Sequence, residues 1–205
     1  SDSHLALFLN DETEEIRKEA VSAIYDTGAL DGPAGKALLS LNPEDFPFHQ
    51  QVRLVGAYFR IGSENAAKAL LSTCANHKLG EEVRIFAMEA LLRWSIPMDT
   101  DPVLGHYRPT LQTIFSRTDF VSSMGENIRQ LVEKEKAPKL ASLLGKFVME
   151  AGISMDPVVL RKQVMDSNLN AEVRASNLRS LLSLNDKADH AMIEDLLDDP
   201  SELVR

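Results

Sequence analysis

A short phrase recurs along this chain of 205 residues: an acidic or amide residue, a β-branched apolar residue and an arginine. Successive copies lie 31 to 45 residues apart, which is the range of repeats built from two helices. Such a repeat must bury its apolar face against its neighbours, so it predicts an all-α array. The full copies are Glu15-Ile16-Arg17, Gln51-Val52-Arg53, Glu82-Val83-Arg84, Asn127-Ile128-Arg129 and Glu172-Val173-Arg174, and Leu203-Val204-Arg205 is a last echo.

Each copy is predicted to mark the start of a helix. After the phrase, apolar residues recur at helical spacing, with alanine or glycine one turn beyond the arginine. Ser123 and Glu126 form a capping-box pattern ahead of the fourth copy. Gly28 and Gly62 stand where a helix C-terminus favours a left-handed residue. In the fourth copy Glu135 and Lys136 replace apolar residues, so it is either a degenerate repeat or a chance match.

Between the marked helices, short amphipathic segments predict their partners. No alternating strand pattern is present, so the periodicity indicates an all-α fold. The predicted partner helices run from Ser3 to Leu9, Ala34 to Leu41, Glu64 to His77, Pro138 to Ala151, Pro157 to Asp166 and Ala188 to Leu197.

The phrase and its preceding polar turn resemble HEAT repeats, especially the short HEAT-like type first described in phycobilisome lyases. The best matches are Asn168-Leu-Asn-Ala-Glu-Val-Arg174 and Asp198-Asp-Pro-Ser-Glu-Leu-Val-Arg205. The resemblance implies an α-α superhelix, a right-handed solenoid of about five HEAT-like helix pairs. It implies that the second helix of each pair lines the concave side. It also implies a structural ladder between repeats for Arg17, Arg53, Arg84, Arg129 and Arg174.

Net charge limits the possible partners. Asp and Glu outnumber Lys and Arg by 31 to 22, giving a formal charge of −9. Nucleic-acid and anionic membrane surfaces require clustered basic residues, so neither is an expected partner. No apolar run is long enough to span a bilayer, so no direct membrane insertion is expected. The expected partner is a protein, or a neighbouring domain of the same parent chain.

Motifs for chemistry are absent from the sequence. Cys74 is the single cysteine and lies in an apolar helix, where a small buried side chain is the expected role. The five histidines are scattered without metal-ligand spacing, and there is no G-x-S-x-G motif. We therefore expect no enzyme activity, no metal and no cofactor in this chain.

Residues 1–205 are expected to form one HEAT-like array, cut from a longer protein, with an irregular insertion at about 95–122. Its oligomeric state is not predicted. The insertion, with Trp94 just before it, collects residue types that dominate interface hot spots: Trp94, His106, Tyr107 and Arg108. One interpretation folds it over a helix pair with Trp94 in the core, and the other makes these four residues a partner-binding surface. In the second case, alanine at Tyr107 and Arg108 should weaken a contact without changing thermal unfolding.

The insertion also resembles the HEAT region of large bacterial proteins of the planctomycete type, described as membrane-bound dehydrogenases. The resemblance is carried by Asp101, Val103, Leu104, Gly105, Tyr107, Arg108 and Pro109. It implies a spacer between a catalytic β-propeller and a cytochrome c domain in an exported parent, holding neither quinone nor haem. A free-standing HEAT protein would instead be cytoplasmic, so the compartment stays open.

Three functions follow from these patterns. The first is a non-catalytic HEAT-repeat scaffold or protein-interaction module, and the second is the spacer of such an exported oxidoreductase. The third is a bilin-lyase-like enzyme, for which His106, Tyr107 and Arg108 lie together but no second cluster completes a site.

Overall fold

The computed structural model describes residues 2–110, 114–183 and 190–205, and this part of the chain is all-helical. Within it the only β pairing is a bridge between Thr100 and Tyr107, so the predicted all-α class is confirmed. The helices are α1 (Asp2–Phe8), α2 (Glu14–Thr27), α3 (Pro33–Leu38), α4 (Phe48–Ile61), α5 (Glu64–Ala75), α6 (Glu81–Leu92), α7 (Arg117–Lys134), α8 (Pro138–Ala151), α9 (Pro157–Met165), α10 (Ala171–Ser183) and α11 (His190–Leu197), with a 3-10 turn at Pro43–Asp45.

The described residues fall into two compact units, Ser1–Phe120 and Val121–Arg205. In the first, α1 packs on α3, and α4 packs on both α2 and α6. Consecutive helices also pack together, as α1 with α2 and α5 with α6 do. In the second unit α10 packs on α8 and α9. The expected single array over residues 1–205 stays a prediction.

The turns before α6 and α10 have the same hydrogen bonds. Asn76 accepts a bond from the Lys78 amide at 3.0 Å through its side chain. Asp166 accepts the equivalent bond from Asn168, also at 3.0 Å. These side chains take the place of backbone turn contacts after the preceding helix. Two Glu-Val-Arg copies therefore begin from the same local structure, although they lie in different units.

Several predicted helix ends agree with the structure. The segment predicted from Pro138 to Ala151 is α8, with both ends as expected. Gly28 and Gly62 end α2 and α4 in the left-handed region, at φ 80° and 61°. The last predicted partner helix is α11, and the first two residues of that prediction lie outside the described residues.

The fourth copy of the phrase does not mark a helix start, so that prediction is wrong. Helix α7 begins at Arg117, and Asn127-Ile128-Arg129 lies inside it. Ser123 and Glu126 likewise lie inside α7 and not at its start. The start is made by Ser116, whose hydroxyl accepts a bond from the Asp119 amide at 3.1 Å and donates one to its carboxylate at 2.6 Å. The predicted insertion of 95–122 therefore ends six residues too late.

Candidate functional site

The described part of the insertion contains a folded ribbon, residues 98–110, which we call the clasp loop. The amide of Arg108 donates to the Asp99 carbonyl at 2.8 Å, and that of Asp101 donates to the His106 carbonyl at 3.0 Å. Gly105, between Asp101 and His106, adopts φ +72°, which favours glycine, and its amide donates to the Asp101 carbonyl. The loop thus has a defined backbone without belonging to a helix.

Asp101 is the buried centre of this loop, with none of its surface exposed to solvent. Its Oδ1 atom accepts hydrogen bonds from the Tyr25 hydroxyl at 2.7 Å and from the amides of Val103 and Leu104 at 2.9 and 3.0 Å. Its Oδ2 atom accepts a bond from Arg108 Nη1 at 3.1 Å. A buried carboxylate is costly unless it is paired and hydrogen-bonded, and Asp101 meets both conditions.

Two arginines fasten the clasp loop to the helices. Arg60 of α4 donates to the carbonyls of Arg108 and Pro109 at 3.0 and 3.2 Å, and its Nη1 lies 3.7 Å from Asp101 Oδ2. Arg108 donates through Nη2 to the Tyr25 carbonyl at 2.7 Å and lies over the Tyr25 ring, 5.1 Å from its centroid. We call Tyr25, Arg60, Asp101 and Arg108 the Asp101 cluster.

The electrostatics of the Asp101 cluster define its protonation. Burial alone would raise the pKa of Asp101, but the bonds from Tyr25, Leu104 and Val103 and the charge of Arg60 outweigh burial and lower it. Burial, followed by the bond to Asp101, raises the pKa of Tyr25. Near neutral pH the carboxyl is therefore ionised and the phenol keeps its proton, which sets the direction of their hydrogen bond.

The four residues predicted to form a contact surface separate into two groups. Tyr107 is 76% exposed and His106 is exposed as well, and these two side chains define what we call the outer side of the clasp loop. Trp94 is 1% exposed, and its indole N–H donates to the Phe115 carbonyl at 2.8 Å. It is a core residue and is unable to contribute to a surface, which corrects that part of the prediction.

Arg108 also departs from its predicted place at the surface. Its guanidinium joins Asp101 to Tyr25, so alanine at this position removes contacts that hold the loop. The expectation that a Tyr107 and Arg108 double variant keeps its stability therefore does not apply. Only Tyr107 and His106 remain as exposed members of the predicted surface.

The sequence pattern that singled out the insertion now has a physical explanation. Asp101 and Arg108 form buried contacts, and Gly105 supplies the left-handed turn. Val103 and Leu104 contribute backbone amides, while Pro109 contributes a carbonyl to Arg60. Tyr107 is the exception, because its side chain faces solvent. Asp101 lies two positions before Val103, and a polar residue at that spacing is the sequence signal for a turn closed by a side chain. No sequence pattern predicts that Asp101 also bonds Tyr25.

The arginines of the repeated phrase fall into different environments. Arg84 and Arg174 are 5% and 6% exposed. Each donates through Nε to the carbonyl of the residue ten positions earlier, Cys74 at 2.8 Å and Val164 at 2.7 Å. Both bonds satisfy a carbonyl at the end of the preceding helix, where no intrahelical donor remains.

The other arginines form more exposed contacts, whereas Arg174 also forms a buried pair with Asp199. Arg53 pairs with Asp26, joining α4 to α2 at 3.0 Å. Arg17 bonds carbonyls of the turn before its own helix, at Asp11 and Glu12. Arg129 pairs with Glu126 within α7 and donates to the Ser154 carbonyl.

Among the described residues, no group of three or more His, Cys, Asp or Glu side chains is arranged to hold a metal ion. No helix in the part of the chain that the structure describes has the length and apolar character to cross a bilayer.

Sequence comparison with protein families and curated proteins gives no match. No protein-family model matches the chain, and no curated protein matches it in sequence.

Proposed function

We propose that this chain is a non-catalytic HEAT-like α-α solenoid that binds another protein or a neighbouring domain. Its contact surface is the outer side of the clasp loop, with Tyr107 as the anchor and His106 beside it. The observation that carries the proposal is that Tyr107 is 76% exposed on a loop whose other distinctive residues are used to fold it.

Fold and position both support this proposal. Alternate helices of the first unit pack on each other, and two of the repeated turns share their hydrogen bonds, as stacked repeats require. Tyrosine buries a large ring with few rotatable bonds, so it is common among interface hot spots. A fixed loop also spares the ordering cost that a flexible one pays on binding.

A second candidate is the spacer of a multidomain exported oxidoreductase, in which the partner is a domain of the same parent chain. Its support is the sequence pattern from Asp101 to Pro109, which the structure uses to build the clasp loop. The two candidates share the same surface and differ only in the chain that covers it.

A site-specific photo-crosslinker tests the proposal. We would place p-benzoylphenylalanine at position 107 of the protein in its native cells. As a matched control we would place it at Met149 of α8, another exposed side chain. A specific product from position 107 alone supports the contact surface. A product with a separate protein identifies an interaction module, and one within the parent chain identifies a spacer. No product at 107, or equal products at both positions, would overturn the proposed surface.

A further inference from the structure

Two helices place a hydrogen-bond donor and a positive charge beside the carboxylate of Asp101. The Tyr25 hydroxyl comes from α2, and the Arg60 guanidinium comes from α4. Tyr25 has no exposed surface, and the Arg60 side chain is 12% exposed. The buried hydroxyl requires an acceptor, because leaving it unpaired costs its full desolvation, and the guanidinium favours an opposite charge beside it.

Helix α4 is shaped to admit the Tyr25 hydroxyl. A Cβ atom added at Gly56 would lie 2.6 Å from Tyr25 Oη, so a larger residue would displace the ring. The glycine lies in the interior of α4, where it is less favourable than alanine. This cost is explained if the Tyr25 hydroxyl must occupy this position, because from here it donates its hydrogen bond to Asp101.

We infer that Tyr25 and Arg60 form a carboxylate-binding site on the helices, which the clasp loop occupies in cis through Asp101. Arg108 completes the site from the side of the loop, and its Nη1 bonds the carboxylate oxygen that Arg60 approaches. The ligand class is a carboxylate, because Tyr25 donates to one oxygen of Asp101 and Arg108 donates to the other. This inference concerns the interior of the loop and does not depend on the contact surface at Tyr107.

The test is chemical rescue with formate. Asp101→Ala removes a carboxylate group and leaves space of the size of that ion. We would measure thermal unfolding of this variant with increasing sodium formate, against sodium chloride at equal ionic strength. Formate should raise the unfolding temperature saturably, by about 3–6 °C at tenfold its dissociation constant. The wild-type protein, whose site is filled, should respond equally to the two salts.

Two comparisons keep the result interpretable. The formate effect should be smaller in Asp101→Ala with Tyr25→Phe, and absent in Asp101→Ala with Arg60→Met. A formate effect no larger than that of chloride, or the same effect in the wild type, would overturn the inference. If Asp101→Ala does not fold in chloride, recovery from urea in formate supports the site, and recovery in neither salt contradicts it.

Discussion

The Tyr25 hydroxyl donates a 2.7 Å hydrogen bond to Asp101, a residue 76 positions later in the chain. The bond joins the second helix to a loop that follows the sixth. It closes a buried arrangement in which Arg60 and Arg108 neutralise the carboxylate. The clasp loop is therefore bonded to the helices of the first unit, and Tyr107 projects from a loop with a fixed backbone.

Replacing Asp101 by asparagine should destabilise the first unit by about 2–4 kcal/mol, because two arginines would lose their counter-charge in a buried site. The measurement is urea unfolding followed by fluorescence of Trp94, the single tryptophan, which lies in that unit. Asp99→Asn is the matched control, since Asp99 is exposed in the same loop. Equal losses from the two variants would contradict the role given to Asp101.

Acid should weaken the first unit through the same residue. The pKa of Asp101 in the folded protein lies below its ordinary value of 3.8, so the unfolded chain binds the proton more readily. The contribution of Asp101 is therefore complete above about pH 5 and is lost as the pH falls below 3.8 toward its folded pKa.

Two neighbours of Asp101 keep their protons during that titration: the Tyr25 phenol, whose pKa is raised, and the Arg60 guanidinium. Unfolding free energy measured by Trp94 fluorescence between pH 2.5 and 6 should thus fall more steeply in the wild type than in Asp101→Asn. Parallel curves for the two proteins would show that Asp101 titrates alike in both states.

Gly56→Ala should cost about 1–3 kcal/mol, because the new methyl group would lie against the Tyr25 hydroxyl and force the ring aside. Gly125→Ala is the control, since nothing lies within 4 Å of a Cβ atom at that position in α7. There alanine should add up to about 1 kcal/mol by helix propensity. Thermal unfolding by circular dichroism compares them, and a neutral Gly56→Ala would count against close packing of Tyr25.

The repeated arginines should differ in importance according to burial. Arg84→Met and Arg174→Met each remove a bond to a helix-end carbonyl from a buried guanidinium, so each should cost about 1–3 kcal/mol. Arg17→Met should cost less than about 1 kcal/mol, since its bonds lie at a more exposed turn. Urea unfolding by circular dichroism measures all three, and equal losses would contradict this ranking.

Much of the fold follows from periodicity alone. Apolar spacing predicted α8 in full and placed most other partner helices near their observed bounds, because helical burial leaves a local pattern. The error at Asn127 has a physical origin. The three-residue phrase fits the interior of a helix as well as its start, and Ser116 and Asp119 supplied the real cap.

The candidate site is harder to predict from the sequence than the fold. Trp94 belongs to a residue type common at interfaces, yet burial places it against Phe59 and Phe120. The partnership of Tyr25 with Asp101 spans most of the first unit and has no local signature. The exposure of Tyr107 likewise has no signature in the sequence, because it depends on the fold of the clasp loop.

Amide hydrogen exchange of the clasp loop, followed by NMR, tests the central claim that this loop is a fixed part of the first unit. The Arg108, Asp101 and Leu104 amides should exchange as slowly as those in the middle of α4, because each is hydrogen-bonded. In Asp101→Asn their protection should fall while that of α4 persists. Exchange of these three amides at the rate of an unstructured peptide in the wild type would contradict the account.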